Sequence, residues 1–256
     1  MPIADFSLTG KVAIVTGGSR GIGRSIAIAL AEHGADVAVA ARKPDALAEA
    51  TSAVSATGRR AIAVPTNVRR IDELRALVDQ TVSQLGRVDI LVNNAGTNPV
   101  YGPVQDIDER AFDAIMDTNV KAIHFLSNFA REAMLRHGEG GAIINVSSVG
   151  GFQASDVIGG YSVSKAAVIM LTQVQAKTWG QDGIRVNCIA PGVIRTRFHE
   201  SMTPEAKAHN LAVRIPLHRE GTPEDVAQAV RLLVTNEFIT GELIVVDGGC
   251  AMQVCR

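Results

Sequence analysis

Val12-Ala-Ile-Val-Thr16-Gly-Gly-Ser-Arg-Gly21-Ile-Gly23, running on into Arg24-Ser-Ile-Ala-Ile-Ala-Leu30, decides the fold of this chain. A short apolar, β-branched run reads as a strand, and the apolar spacing from Ile22 onward reads as a helix. Glycines at 17, 21 and 23 permit a tight turn, close approach of backbone to a pyrophosphate, and close helix packing. The amides and the positive end of the helix would face that anion. The spacing differs from the G-x-G-x-x-G fingerprint, so a plain glycine-rich strand-to-helix turn stays open at this point.

The pattern repeats outward from this stretch. Strand-like runs lie at 11–16, 36–41, 60–64, 88–92, 142–146, 185–190 and 243–246. Helical patterns lie at 22–33, 44–57, 70–85, 107–137, 161–180 and 222–235. The strands are continuous apolar runs rather than alternating ones, as in a parallel sheet covered on both faces. Strands alternating with helices give a doubly wound α/β layer, and ligands of such sheets bind beyond the carboxyl ends of the strands. No proline- or serine-rich linker interrupts the chain, and one domain over 1–256 is expected.

Composition excludes several classes. The 256 residues are 46% hydrophobic, ample for one core. The 25 basic and 26 acidic residues nearly cancel, with no basic stripe for nucleic acid. No run approaches the ~18 apolar residues of a membrane span. The N-terminus carries no signal-peptide pattern, and the unpaired spacing of Cys188, Cys250 and Cys255 suits a reducing, cytoplasmic compartment. Six scattered histidines offer no metal-ligand spacing.

Gly160-Tyr-Ser-Val-Ser-Lys165 carries the chemistry. Residues four apart share a helix face, which sets an ammonium beside a phenol. A nearby cation favours phenolate, and the tyrosine becomes a proton donor and acceptor nearer neutral pH. Ser147-Ser148 lies just upstream. The combination points to redox chemistry at a carbonyl or alcohol carbon.

Thr16-Gly-x-x-x-Gly-x-Gly23, Asn93-Asn-Ala-Gly96, Asn119, Asn145-Val-Ser-Ser148, Tyr161/Lys165, Pro191-Gly192, Thr240-Gly241 and Val246-Asp-Gly-Gly249 follow one another in order. In this the chain resembles the short-chain dehydrogenase/reductase family from about residue 7 to 249. The resemblance implies a seven-stranded parallel sheet of order 3-2-1-4-5-6-7 with helices on both faces. It also implies a tetrad. Tyr161 would exchange a proton with the substrate oxygen, and Lys165 would lower the tyrosine pKa and bond the nicotinamide ribose. Ser148 would hold the carbonyl oxygen, with Ser147 its rival, and Asn119 would anchor a water leading from Lys165. Cofactor contacts would come from Gly17, Ser19, Arg20, Gly21, Ile22, Gly23, Arg42, Asn67, Val68, Asn94, Ala95, Gly96, Pro191, Gly192, Ile194 and Thr196, besides Tyr161 and Lys165.

NAD-selective relatives carry Asp or Glu at the end of the second strand, about twenty residues past the glycine turn. Here that strand ends Ala41-Arg42, and a guanidinium stands where a 2′-phosphate could be clamped, with Arg20 as a second jaw. NADP(H) is therefore expected over NAD(H). Asn67 replaces the aspartate often found beside the adenine.

The substrate remains a small carbonyl or alcohol compound, under a lid at 193–215 that carries Arg195, Arg197, Phe198, His199, Met202, His209 and Arg214. Val100 and Tyr101 are candidates for the other wall. A carbonyl reductase, a 3-oxoacyl thioester reductase and a polyol or sugar-acid dehydrogenase stay open. An NADP-binding regulatory protein would need a broken tetrad. Apolar residues beyond one stripe on 107–137 (Phe112, Ile115, Met116, Ile123, Phe125, Leu126) and 161–180 (Val168, Ile169, Leu171, Val174) suggest subunit contacts. With the resemblance they imply a homotetramer.

Overall fold

The computed structural model describes residues 6–196 and 204–252. Its centre is one parallel sheet of seven strands: β1 (Val12–Thr16), β2 (Asp36–Ala41), β3 (Ala61–Pro65), β4 (Ile90–Asn93), β5 (Gly141–Val146), β6 (Ile184–Pro191) and β7 (Leu243–Val246). The order is β3-β2-β1-β4-β5-β6-β7, as the resemblance implied. Register pairs Ala13 with Val37 and Ile90, Ile90 with Ala142, and Ala142 with Arg185. The carboxyl ends of β1, β4, β5 and β6 therefore open on one rim.

Alternate residues of β1 face opposite layers. Ala13 and Val15 join Val37 and Val39 under α1 (Gly21–Glu32) and α8 (Pro223–Thr235), among Ile26, Leu30, Val226 and Val230. Val12 and Ile14 join Leu74 and Leu77 of α3 (Ile71–Leu85), and Leu126 and Met134 of α5 (Ala122–His137). Both faces are dry, which is why the strands lack alternation in the sequence. Helix α2 (Pro44–Ser55) seats Leu47 and Val54 in the first layer.

The helix expected over 107–137 is interrupted. Helix α4 (Glu109–Met116) gives way to a π-turn at Asp117–Lys121 before α5 begins. Such turns insert one extra residue per turn and re-aim side chains. Helix α6 (Gly159–Trp179) carries the tyrosine and lysine. Within 193–215, Ile194 bridges to Gly221, and α7 (Pro204–His209) runs into a second π-turn at Asn210–Arg214. Arg197, Phe198, His199, Met202 and Cys255 lie outside the described residues.

Much of the apolar surplus on the long helices packs within the subunit. Ile115, Ile123, Leu126 and Val168 are buried, and Phe125, Ile169 and Leu171 pack against the core. The residues left exposed are Phe112 on α4, Leu135 on α5 and a stripe of Val163, Met170 and Val174 on α6.

Candidate active site

The glycine turn is shaped by contact with the β4 end. Gly17 adopts φ +63°, and a Cβ there would come within 2.8 Å of Asn94 Nδ2. That amide donates to the carbonyls of Thr16 (2.9 Å) and Gly17 (3.2 Å). Thr16 Oγ1 donates to Val92 O and accepts from the backbone amides of Asn94 (3.0 Å) and Ala95 (3.1 Å). A side chain at Gly23 would collide with Asn94 and Gly17 O, so only glycine lets helix and turn approach this closely. Thr196, in the segment after β6, packs against Gly21. No side chain caps α1 at Arg20, and its first-turn amides face the rim. This cradle fits a pyrophosphate.

Arg20 and Arg42 are both exposed at that rim, Arg42 immediately after β2. Asn67 accepts from Arg69 N through Oδ1 (3.2 Å), and its own backbone N–H donates to Glu73 Oε2 (2.6 Å). The β3 end is thus braced, with Val68 half-buried beside it. Gly192 donates to Val246 O, and a Cβ on it would meet Asp247, so the loop after β6 lies on the β7 end.

The structure brings Asn119, Ser148, Tyr161 and Lys165 together. Ser148 follows β5, and its hydroxyl accepts from Gly150 N (3.1 Å) while hydrogen-bonding the Tyr161 phenol. Lys165, one turn on from Tyr161, places Nζ 5.5 Å from the phenol ring centroid and donates to Val146 O (2.7 Å). Ser147 is buried and donates to Lys165 O (2.8 Å), a contact that holds α6 onto β5. Ser148, not Ser147, therefore faces the tyrosine. Asn119, fully buried in the π-turn, accepts from Thr97 N (2.8 Å) and donates to Thr97 O (3.0 Å) and to Ser164 Oγ (3.0 Å). Ser164 in turn donates to Tyr161 O (2.7 Å). A Cβ on Gly96 would lie 3.5 Å from both Lys165 Nζ and Asn119 Oδ1.

The titration behaviour differs from the sequence expectation. Burial pushes the Tyr161 phenol up to about 12, against the smaller downward pull of Ser148 and with a further upward push from Tyr101. Burial likewise pushes Lys165 down to about 8. In the protein by itself desolvation outweighs the pull of Ser148 on the phenol and of Cys188 on the ammonium.

Two contacts were missed in the sequence. Cys188, buried in β6 with its thiol pushed up to about 11 by burial, lies within electrostatic reach of Lys165. Gln153 Nε2 donates to Ala251 O (2.9 Å), tying the loop after Ser148 to the turn at Cys250–Met252. Both are contacts between distant segments, for which spacing gives no signal. Tyr101, already a candidate for the other wall, adds to the upward push on Tyr161.

Among the described residues, Asp89, His137 and Glu139 group at the opposite end of the sheet, with ligand atoms within 4.8 Å. Arg87 bridges Asp89 and Glu139 (2.6 Å each), and His137 Nε2 bonds Val88 O, so the group is an ion-pair network. No described helix is long and apolar enough to cross a membrane.

The family model described as "Enoyl-(Acyl carrier protein) reductase" matches residues 17–251. The chain belongs to the short-chain dehydrogenases/reductases. It is 35% identical over 253 residues to 2-dehydro-3-deoxy-D-gluconate 5-dehydrogenase of Escherichia coli (strain K12), covering 97% of this chain and 98% of that one. It is 36% identical over 250 residues to dehydrogenase/reductase SDR family member 4 of Oryctolagus cuniculus, covering 96% of each. A solved 7 alpha-hydroxysteroid dehydrogenase, complexed with NADH and 7-oxo glycochenodeoxycholic acid, superposes with TM-score 0.91 at 35% identity, covering 96% of each chain. The protein is accordingly an oxidoreductase of a family that uses a nicotinamide dinucleotide, NAD or NADP.

Proposed function

We propose that this short-chain dehydrogenase/reductase moves hydride between NADP(H) and a carbonyl or secondary alcohol, with Tyr161 as general acid and base. The observation that carries the reading is the pairing of the Tyr161 phenol with the Ser148 hydroxyl, one helical turn from Lys165 and beside the glycine cradle. When bound, the nicotinamide supplies the hydride. The chain's own residues do the rest. Ser148 and Tyr161 would converge on the substrate oxygen, one holding it and the other moving its proton. Lys165 would hold the ribose and favour phenolate in the oxidative half. Asn119, which already links the Thr97 loop to Ser164 and so to Tyr161 O, would anchor a water beside Lys165.

Gly17, Ser19, Gly21, Ile22 and Gly23 would hold the pyrophosphate. Asn67 and Val68 would face the adenine, and Asn94, Ala95, Gly96, Pro191, Gly192, Ile194 and Thr196 the nicotinamide half. Arg20 and Arg42, both exposed at the β1 and β2 ends, would clamp a 2′-phosphate. The steroid dehydrogenase was solved with NADH, so the preference for NADP(H) rests on this chain's arginines. Segment 193–215 would close over the substrate. The Escherichia coli relative keeps a sugar-acid dehydrogenase in view.

Turnover of NADPH against a panel of ketones, diketones and acyl thioesters tests the reading. Tyr161→Phe is expected to lower kcat by at least ~10²-fold while cofactor affinity persists. Near-native turnover in that variant would remove Tyr161 from the mechanism.

A further inference from the structure

Ser162 follows Tyr161 in the first turn of α6, and its backbone N–H donates to Ile158 O (2.8 Å). Its hydroxyl oxygen is sealed from solvent and, among the described residues, has no hydrogen-bond partner. A buried hydroxyl with its bonds unmade costs stability, and alanine in its place would carry no such cost. In native proteins such groups are met by a bound water or ligand.

The neighbour of that hydroxyl is Gly150, in the short turn Val149–Gly151 after β5. The point where a Cβ on Gly150 would sit is 3.5 Å from Ser162 Oγ, 3.6 Å from Ser148 Oγ and 3.3 Å from Ile158 Cδ1. Two hydroxyls and one methyl border the same small space, which is open only because residue 150 has no side chain. A methyl group there would touch side-chain ends rather than backbone, and a water molecule is no larger. One water so placed has two polar partners, enough to hold it.

Its effect follows from the bonds of Ser148. A hydroxyl has one proton to give and two lone pairs. Ser148 Oγ takes the Gly150 N–H (3.1 Å) on one lone pair and is bonded to the Tyr161 phenol. When Ser148 turns its proton to a substrate oxygen, its second lone pair can accept from the water, which accepts in turn from Ser162. Three O–H groups then donate in one direction, toward the substrate oxygen, and each polarises the next.

We propose that Ser162 is a positioning residue for Ser148, acting through one water seated over Gly150. This rests on the reading in which Ser148 holds the substrate oxygen, and it deepens that reading. Ser162 touches neither substrate nor cofactor, so it governs kcat rather than KM.

A crystal structure of the protein is expected to show an ordered water within hydrogen-bond distance of both hydroxyls, and the Ser162→Ala structure to lack it. In NADPH-dependent reduction of the ketone, diketone or acyl thioester that the wild type turns over best, Ser162→Ala should lower kcat about three- to tenfold, the scale of one neutral hydrogen bond. KM for that compound and for NADPH should change less than about twofold. The melting temperature should hold or rise, because an unmet buried hydroxyl has been removed. Gly150 lies outside the left-handed region, so Gly150→Ala keeps the backbone and puts a methyl where the water sits. It should slow the enzyme as much as Ser162→Ala does, and the double variant should be no slower than either single one. Absence of the water, an unchanged kcat in Ser162→Ala, a raised KM with kcat intact, or losses that multiply in the double variant would each overturn this inference and leave the reductase reading standing. Near-native turnover in Ser148→Ala would remove Ser148 from the mechanism, and this inference with it.

Discussion

Lys165 holds its ammonium on one backbone carbonyl in a buried place, and that has a measurable consequence. Its pKa is pushed down to about 8, whereas the unfolded chain keeps the ordinary value near 10.5. Below pH 8 both states are protonated, and the folded state carries the full penalty of a buried charge. Between 8 and 10.5 the unfolded chain binds more protons, so stability rises with pH by up to about 1.4 kcal/mol per unit. Tyr161 and Cys188, both pushed up by burial, act in the opposite sense above about pH 9. Comparing wild type with Lys165→Met removes what those two share in both proteins, and the Lys165 charge that lowers the Cys188 pKa adds to the difference in the same direction. Urea unfolding should therefore show the difference shifting in favour of wild type from pH 8 to 10, and a flat difference would contradict the buried ammonium. Arg42 offers a second test at this scale. Arg42→Ala is expected to weaken NADPH about ten- to a hundredfold and leave NADH almost untouched, since a charge-assisted bond of roughly 1.5–3 kcal/mol is lost. A wild-type preference for NADH in direct kinetic comparison would remove the premise.

At the scale of elements, the sheet was legible because each strand is a short apolar run closed by turn chemistry. The strand from Ile184 to Pro191 is one residue longer at each end than its apolar pattern implies, as expected of boundaries. The π-turn at Asp117–Lys121 was not legible. Its apolar spacing reads as continuous helix, and the extra residue is imposed by Asn119 reaching across to Thr97 and Ser164. The glycine turn could be located from spacing, whereas its tight contact with Asn94 could not, since the partner lies more than seventy residues away. Helix α8 was legible as a pattern over 222–235, but its cap was not named: Thr222 accepts from Asp225 N and Asp225 accepts from Thr222 N, a capping box. The tyrosine's direction of shift was misjudged for a physical reason. Sequence gives the cation four residues away but not the depth of burial, and burial is the larger effect here.

For the whole molecule, the exposed stripe of Val163, Met170 and Val174 on α6 is more apolar than a solvated face needs to be, and Phe112 on α4 is exposed as well. A second edge is apolar too, where Val245 of β7 and Leu217 stand 40% and 64% exposed. Two such faces suit a homotetramer of D₂ symmetry. Light scattering at micromolar protein is expected to give four chains; a mass near 27.0 kDa, one chain, would exclude it. The strand order carries one more consequence, in time rather than in space. During synthesis β1, β2 and β3 emerge first and can pair at once, and every later strand adds to the same growing edge. The cradle for a pyrophosphate needs only β1 and the loop after β4, so a nascent chain of little more than a third of the length already holds its parts. The loop after Ser148 waits much longer: Gln153 finds its acceptor at Ala251 only after β7 has been made. The segments that form the glycine cradle are thus made well before the loop after Ser148 can be tied down.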